Sequence, residues 1–443
     1  METLAAAFGG TVWTTVFFII GLSVIVFVHE YGHYIVGRWS GIHAEVFSIG
    51  FGPVLFSRSD RRGTRWQIAA IPFGGYVKFL GDADAASVRA SDISGLSAAE
   101  RRHTMAGAPL WARAATVLAG PVANLVLAFV LIAGLIIVNG TPTAEPTVGE
   151  VRAFPHEGPT LTTGDVILAV NGVATPDWIT FGEVTNTLKG EARLDYTVRR
   201  GSGELTVTGP HPQAPVVGGV QIRSAALDAG IEAGDVVLKA GGRDLTYFDE
   251  LPAIIAEARG QPVALTIWRD GKTIDLTLTP RLRVAPDNKT GELTERYLIG
   301  LESGMFFEQA VQSAGPWDVI SGAAQGIWLT IVGMFAALGK LIGGLISTCS
   351  VSGAIGIART MGDAARMGVE SFVGILAGLS ISIGVINLFP IPVLDGGHLV
   401  FHAYEAVTRK PPSQRVLGVL MTIGLTLVLA IMIFGLSRDL VCV

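Results

Sequence analysis

Residues 11–33 read TVWTTVFFIIGLSVIVFVHEYGH, and this stretch decides the fold class of the chain. From Thr11 to Val28 it carries no charge, and a bilayer core needs about 20 apolar residues in a helix. The apolar run then passes directly into His29-Glu30-Tyr31-Gly32-His33. Ionisable groups are costly at the end of a membrane span and indicate function there. The stretch therefore predicts a membrane helix that carries a chemical site.

The polar end of this helix has the spacing of a metal site. His29 and His33 stand four residues apart, so a helix places them on one face, with Glu30 close to that face. The pattern H-E-x-x-H supplies two zinc ligands and a general base. With only 8 histidines in 443 residues, a chance match is rare. The competing interpretation is a buried structural pair.

Three further uncharged runs predict membrane helices, at Ala114–Ala144, Ser371–Leu394 and Val416–Ser437. A fifth run, Val319–Gly339, is diluted by glycines, and hydropathy leaves open whether it spans the membrane or lies at its interface. The composition agrees, since 50% of the residues are hydrophobic and only 16% are charged. A net charge of -5 excludes a generally basic nucleic-acid binder. Two cysteines, Cys349 and Cys442, cannot build a Cys-rich zinc cluster.

Basic residues predict the orientation, because cytoplasmic loops carry an excess of Lys and Arg. Ten of them, including Arg89, lie between Arg38 and Arg113. The short loop before the last run adds Arg409, Lys410 and Arg415. Both loops are therefore predicted to be cytoplasmic. The N-terminus and the long stretch 140–316 are predicted to be external. The first helix lacks the basic flank of a cleavable signal peptide.

The external stretch contains an internal repeat. Residues 163–172 read TGDVILAVNG and residues 233–242 read AGDVVLKAGG, an offset of 70 positions (164 to 234). Each pairs a Gly-Asp turn with a strand and a second glycine turn, and a helix-like stretch follows. The pattern resembles tandem PDZ domains, the second match being better than the first. Such domains bind extended peptides at a sheet edge. The alternative is two β-rich modules with a spacing role.

A third metal ligand is expected near the end of the third run, which reads NLFPIPVLDGGH at 387–398. Pro390 and Pro392 break a helix there, and irregular backbone at membrane depth is tolerated beside a water-filled cavity. Asp395 is the favoured ligand, and His398 is its rival. A shared metal requires Asp395 at the depth of His29, which argues against a fifth crossing before the third run.

The segment after the metal motif has strand character. Val54–Phe56 and Trp66–Ile71 flank the polar turn 57–64, and residues 73–77 extend the second strand. This predicts a β-hairpin on the cytoplasmic side. Its edge could hold an unwound substrate as an added strand, or the hairpin could only rest on the membrane surface.

The fold class is thus a multi-pass α-helical membrane protein, with four transmembrane helices, a cytoplasmic-side β-hairpin and two inserted PDZ-like α+β domains. The predicted segments are helix one with HExxH (1–37), the cytoplasmic hairpin loop (38–113), helix two (114–144), PDZ-like domain one (145–212), PDZ-like domain two (213–285), an external linker with membrane-associated amphipathic segments (286–370), helix three with the LDG motif (371–400) and helix four (415–437).

Together these motifs resemble the site-2 protease family of intramembrane zinc metalloproteases, in particular its sigma-E-regulating bacterial branch. The resemblance covers essentially the whole chain. It implies Zn²⁺ held by His29, His33 and Asp395, with Glu30 as catalytic base. It also implies a supporting role in substrate handling for Asn387, Pro390 and Pro392. Gly120-Pro121-x-x-Asn124 matches a family motif too, and Asn124 either donates a hydrogen bond near the site or serves helix packing.

The resemblance further implies a substrate and a location. The partner is a single-span transmembrane protein in the lipid bilayer, here a pre-trimmed anti-sigma factor of an envelope stress response. The location is the bacterial inner membrane, with both termini and the PDZ pair on the periplasmic side and the active site near the cytoplasmic side. Two alternatives are a membrane-anchored PDZ scaffold or catalytically inactive homologue, and a metal transporter. The intact HExxH and LDG positions argue against the first, and ionisable residues confined to two span ends argue against the second.

Overall fold

The computed structural model describes residues 2–82, 97–155, 160–286, 293–345, 348 and 351–441. Arg89, Cys349 and Cys442 lie outside the described residues. The chain divides into two compact units. The first contains Met1–Leu135, Ile320–Gly339 and Val351–Val443, and the second contains Ile136–Val319 and Lys340–Ser350.

Helices dominate the first unit, and three short ones belong to the second. Their bounds are α1 Glu2–Trp39, α2 Ala98–Arg102, α3 Leu110–Asn139, α4 Trp178–Thr187, α5 Ala225–Asp228, α6 Leu251–Glu257, α7 Pro316–Ile342, α8 Ala354–Met367, α9 Val369–Asn387, α10 Asp395–Thr408 and α11 Gln414–Val441.

Five of the described helices are long and apolar enough to cross a membrane. α1, α3, α9 and α11 coincide with the four predicted spans. The fifth, α7, covers the run that hydropathy left open. Its residues Ile327, Ile331 and Met334 pack against a buried cluster formed by α3 and α9. Side chains such as Trp328, 65% exposed, face away from that cluster.

α1 and α9 run in the same direction. Phe17 meets Phe372 edge to face at 5.3 Å between ring centroids, and four residues further along each helix Leu376 approaches Gly21. The chain between α3 and α9 must therefore begin and end on the same side of a membrane. An extra crossing would reverse α9 only if the chain passed fully through the membrane between α3 and α9. A helix α7 that enters the membrane, with a return before Val369, leaves α9 unchanged.

The predicted third helix, 371–400, is two helices. α9 ends at Asn387, and α10 begins at Asp395. Pro390 and Pro392 lie in the connection, where each removes a backbone donor and excludes regular helix. The break places Asp395 in the first turn of a new helix.

The predicted hairpin is present and longer than expected. Strands β1 Ala44–Ser59 and β2 Arg65–Phe79 form it, with residues 54–59 paired to 65–69. Residues 46–49 of β1 lie between two parts of β2, opposite 65–68 on one side and 75–78 on the other. Asp60 orders the turn, because its Oδ1 accepts the backbone N–H groups of Arg62 and Thr64 at 2.8 and 3.0 Å. Near the bend the side chains are apolar and exposed, with Leu55 at 71%.

The second unit contains the strands of both predicted modules. Their bounds are β3 Thr141–Pro142, β4 Val148–Val151, β5 Val166–Val170, β6 Val173–Ala174, β7 Arg193–Arg200, β8 Gly203–Pro210, β9 Val216–Val220, β10 Val236–Ala240, β11 Arg243–Asp244, β12 Val263–Arg269, β13 Lys272–Leu278, β14 Arg281–Pro286, β15 Leu293–Leu298, β16 Leu301–Gly304, β17 Phe307–Gln309 and β18 Val311–Gln312. The first module has the sheet β6-β5-β7-β8, and the second has β13-β12-β10-β9-β16.

The Gly-Asp repeat is explained by two equivalent ion pairs. The Asp165 carboxylate is 0% exposed and accepts two Arg200 hydrogen bonds of 2.7 Å. Asp235 is held in the same way by Arg269, at 2.6 Å twice. Burial opposes ionisation of Asp165, but Arg200 and the Thr162 N–H hold its pKa below the usual value. In each module, a partly exposed arginine thus neutralises a buried aspartate through two hydrogen bonds.

Both modules extend beyond residue 285, where the sequence placed the start of a linker. β16 pairs with β9, and β17 pairs with β4. Phe306 and Phe307, each 1% exposed, lie in the core of the first module. The second module is thus inserted within the first, because β17 completes the first module only after the chain has left the second.

Candidate active site

Three side chains from two helices converge at the end of α1. His29 Nε2 lies 3.2 Å from His33 Nε2. Asp395 Oδ2 lies 3.2 Å from His29 Nε2 and 3.5 Å from His33 Nε2. The two imidazoles are 12% exposed and the carboxylate 19%. These are the residues in which the sequence analysis placed the metal.

The arrangement fits zinc. Ligand bonds of about 2.0–2.1 Å in a tetrahedron give ligand–ligand edges of about 3.3–3.4 Å, close to the three observed distances. Asp395 Oδ2 is also a buried acceptor with no hydrogen-bond donor among the described residues. A buried acceptor of this kind is costly unless something else, such as a cation, satisfies it. Two imidazoles and one carboxylate leave a fourth position for water or substrate.

The outer nitrogens of both imidazoles meet α3. His33 Nδ1 lies 2.8 Å from the Thr116 carbonyl oxygen, so Nδ1 carries the proton and Nε2 faces the centre. His29 Nδ1 lies 3.2 Å from the Asn124 amide. Asn124 is 0% exposed, and its Oδ1 has no partner among the described residues. Reversing that amide lets Oδ1 accept from His29 Nδ1–H, as a metal-bound imidazole requires.

The close approach of α3 to the two histidines requires glycine at position 120. A Cβ at this position would lie 2.9 Å from His29 Nε2 and would overlap His33 Nε2 and Cε1. Only glycine lets α3 approach both imidazoles this closely. The sequence motif containing Gly120 and Asn124 therefore lies against the metal-facing atoms, beyond any role in helix packing.

Glu30 lies between the histidines and the hairpin. Its neighbours include both histidines and Asp395, and the backbone N–H of Val77 faces its carboxylate. A Cβ at Gly75 would lie 3.1 Å from Glu30 Cγ and 2.7 Å from the Ser48 carbonyl oxygen. The glycine in β2 thus lets the strand pass close to the Glu30 side chain.

The start of α10 is held by its own connection. Cβ atoms at Gly396 and Gly397 would overlap carbonyl groups of Leu388, Phe389 and Ile391. The two glycines therefore let the connection wrap around the first turn, which carries Asp395.

The other predicted site residues do not belong to the group of metal-ligand atoms. His398 is not part of the His-His-Asp group found among the described residues, and its ring contacts Phe401 instead. Asn387 ends α9 without a side-chain hydrogen bond to any described residue. Pro390 and Pro392 shape the connection. Thr116 was missed by sequence reasoning, because a backbone carbonyl acceptor leaves no residue-type signal.

A helical membrane unit with a buried His-His-Asp group and an adjacent glutamate defines the class of membrane-embedded zinc metalloproteases. The family model described as Peptidase family M50 matches residues 17–431. The chain belongs to this family, and it is a zinc metalloprotease of the site-2 protease type.

Curated relatives match over nearly the full length. A putative zinc metalloprotease of Agrobacterium fabrum is 34% identical over 99% of this chain and 98% of its own. The regulator of sigma-E protease RseP of Escherichia coli is 34% identical over 96% of this chain and 98% of its own. A solved PDZ domain from Listeria monocytogenes is 21% identical and covers 20% of this chain and 87% of its own, with a TM-score of 0.16.

Proposed function

We propose that the protein cleaves transmembrane segments of single-span membrane proteins, with zinc held by His29, His33 and Asp395 and with Glu30 as general base. The observation that carries this proposal is the set of three ligand-atom separations, 3.2, 3.2 and 3.5 Å. Such separations match a tetrahedral ion and need two helices to be held together.

The mechanism follows from the positions of the side chains. Zinc held by His29, His33 and Asp395 would supply a Lewis acid for the scissile carbonyl and would make the attacking water more acidic. Glu30, beside the histidines, is placed to take a proton from the attacking water as its oxygen bonds to the carbonyl carbon, and to give that proton to the amine nitrogen as the C–N bond breaks. Thr116 and Asn124 hold the imidazole protons on the outer nitrogens, which keeps both Nε2 atoms free to ligate.

Replacing Glu30 with glutamine tests the assignment. We expect zinc content to remain, because all three ligands are intact, and cleavage of a model transmembrane peptide to fall about 10²–10⁴-fold. His29→Ala is the matched variant, and it should lose zinc as well as activity. Unchanged turnover in Glu30→Gln would refute the role of the base.

We propose that the substrate is held, locally unwound, along the hairpin. A helix hides its scissile carbonyl in its own hydrogen bonds, so cleavage needs extended backbone, and strand addition supplies it. The passage of β2 close to Glu30 at Gly75 supports this role. A photocrosslinker at Lys78 should capture substrate, while one at Arg58, on the opposite strand near the turn, should not. Equal capture at both positions would favour a hairpin that only rests on the membrane.

We propose that the PDZ-like pair excludes substrates with bulky external domains, so that prior trimming admits them. The rival is peptide binding in the groove of about 390 Å³ between α6 and β16. Thr141 lies opposite Gln312, so the ends of the inserted unit meet, and residues 144–310 can be replaced by a short glycine linker. Cleavage of untrimmed substrate by this variant supports exclusion. An unchanged length preference contradicts it.

The proposals for the substrate class and the location rest on the similarity to the sigma-E proteases. We propose a pre-trimmed anti-sigma factor in the bacterial inner membrane, with the PDZ-like pair on the periplasmic side. The basic hairpin loop supports this orientation through the charge rule for cytoplasmic loops.

A further inference from the structure

Asp395 depends on how α10 is held. The connection 388–394 interrupts the helix, so α9 does not fix the direction of α10. Gly396 and Gly397 pack against that connection, which leaves the far end of α10 free to swing unless another contact holds it.

The far end of α10 is held by an ion pair to α3. Arg113 Nη1 and Nη2 donate to the two carboxylate oxygens of Glu405 at 2.9 and 2.7 Å. Arg113 Nε also donates to the Ala108 carbonyl at 3.1 Å, which fixes the guanidinium plane. The side chains are 16% and 19% exposed. Apart from the approach of Asp395 to the histidines, this pair is the one polar side-chain link between α10 and another described helix.

Residues of α3 contact both histidine ligands as well as Glu405. Thr116, three residues after Arg113, orients His33, and Asn124 orients His29. Ten residues separate Asp395 from Glu405, about 15 Å along α10. α3 thus contacts two of the ligands, His29 and His33, directly. It holds the third, Asp395, indirectly, through the ion pair at the opposite end of α10.

We propose that Arg113 and Glu405 are positioning residues whose bidentate pair fixes α10 so that Asp395 reaches the metal. Metal–ligand distances are held within about 0.2 Å, so a small swing over this lever displaces the carboxylate. A two-bond guanidinium–carboxylate contact restrains direction as well as distance. A solvent-screened surface pair such as Arg243–Glu257, with side chains 61% and 59% exposed, does not restrain the direction of a helix in this way. The inference rests on the ligand set of the proposed function.

A double-mutant cycle on the full-length protein tests the proposal. Zinc affinity is measured by chelator competition in wild type, Arg113→Gln, Glu405→Gln and the double variant. We expect each single change to weaken zinc binding about 10–100-fold and the double variant to lose no more than either single. The Co²⁺-substituted protein should show a changed d–d spectrum in each single variant. Arg113→Lys keeps the positive charge but cannot form the two-bond contact of a guanidinium group. Its zinc affinity should lie between those of wild type and Arg113→Gln.

Arg200→Gln is the matched control, since it breaks a bidentate pair in the PDZ-like unit and should leave zinc affinity unchanged. Wild-type affinity and spectrum in Arg113→Gln would overturn the positioning role while leaving the ligand set intact. Additive losses of zinc affinity in the double variant would also overturn it. So would the finding that the zinc-free variants are largely unfolded, because unfolding would then explain the loss of zinc affinity. If Asp395→Asn keeps full zinc affinity, the ligand set itself fails.

Discussion

Replacing Gly120 with alanine should damage the metal site, because the added methyl group would collide with the two imidazoles. The added methyl would lie 2.9 Å from His29 Nε2 and overlap the His33 ring. Comfortable carbon contacts are about 3.5–4.0 Å, so the ring must retreat by roughly 1 Å. Metal–ligand distances tolerate only about 0.2 Å. We expect zinc affinity to fall about 10–100-fold, which is about 1.4–2.7 kcal/mol.

The zinc-free protein carries two opposing terms. Alanine is favoured over glycine within a helix by about 0.5–1 kcal/mol, whereas displacing packed side chains costs about 1–3 kcal/mol, so we expect the zinc-free variant to be less stable than wild type by at most about 2 kcal/mol. Gly134→Ala is the matched control, because the same helix leaves open space at Gly134. Chelator competition and thermal unfolding measure the two quantities. Wild-type zinc affinity in Gly120→Ala would refute the reasoning.

Two further predictions concern pH and sidedness. His211 is 1% exposed, with Nε2 3.0 Å from the Thr185 carbonyl and Nδ1 accepting from Gln213 N–H; burial, with Lys189 nearby, lowers its pKa. The stability that neutral His211 contributes should be full above pH 6.5 and should fall below it, because the unfolded chain takes up a proton first. The protection factor for hydrogen exchange near Thr185, which removes the intrinsic pH dependence of exchange, should therefore fall on acidification in wild type and stay flat in His211→Gln. In a cysteine-free background, Arg366→Cys should label from the side of the α1 N-terminus, since Arg366 adjoins Gly10, whereas Arg61→Cys should label from the opposite side; labelling of both from one side would contradict the proposed orientation.

Local sequence patterns predicted several features of the fold and of the metal site. Apolar runs predicted four of the helices, and the histidine spacing placed His29 and His33 on one face. Two prolines marked the break before Asp395, and the Gly-Asp repeat marked the two modules. Each of these features depends on residues close together in sequence, where periodicity and backbone restriction act directly.

Long-range pairing could not be predicted in the same way. β17 completes the first module although Phe307 lies opposite Val151, more than 150 positions earlier. Arg113 and Glu405 pair across 292 positions. Neither contact has a local periodic signal, because only the closed fold brings the partners together. The position of α7 beside α3 and α9 is likewise a packing outcome that hydropathy left open.

X-ray absorption at the zinc edge of an Asp395→Cys variant tests whether Asp395 shares a metal ion with His29 and His33. The wild-type protein should show nitrogen and oxygen neighbours at about 2.0–2.2 Å and no sulfur. If Asp395 shares the metal with His29 and His33, the variant should retain zinc and gain one sulfur neighbour at about 2.3 Å. A zinc-loaded variant with an unchanged nitrogen and oxygen shell would show that residue 395 is not a ligand, and would contradict the proposed His29, His33 and Asp395 ligand set.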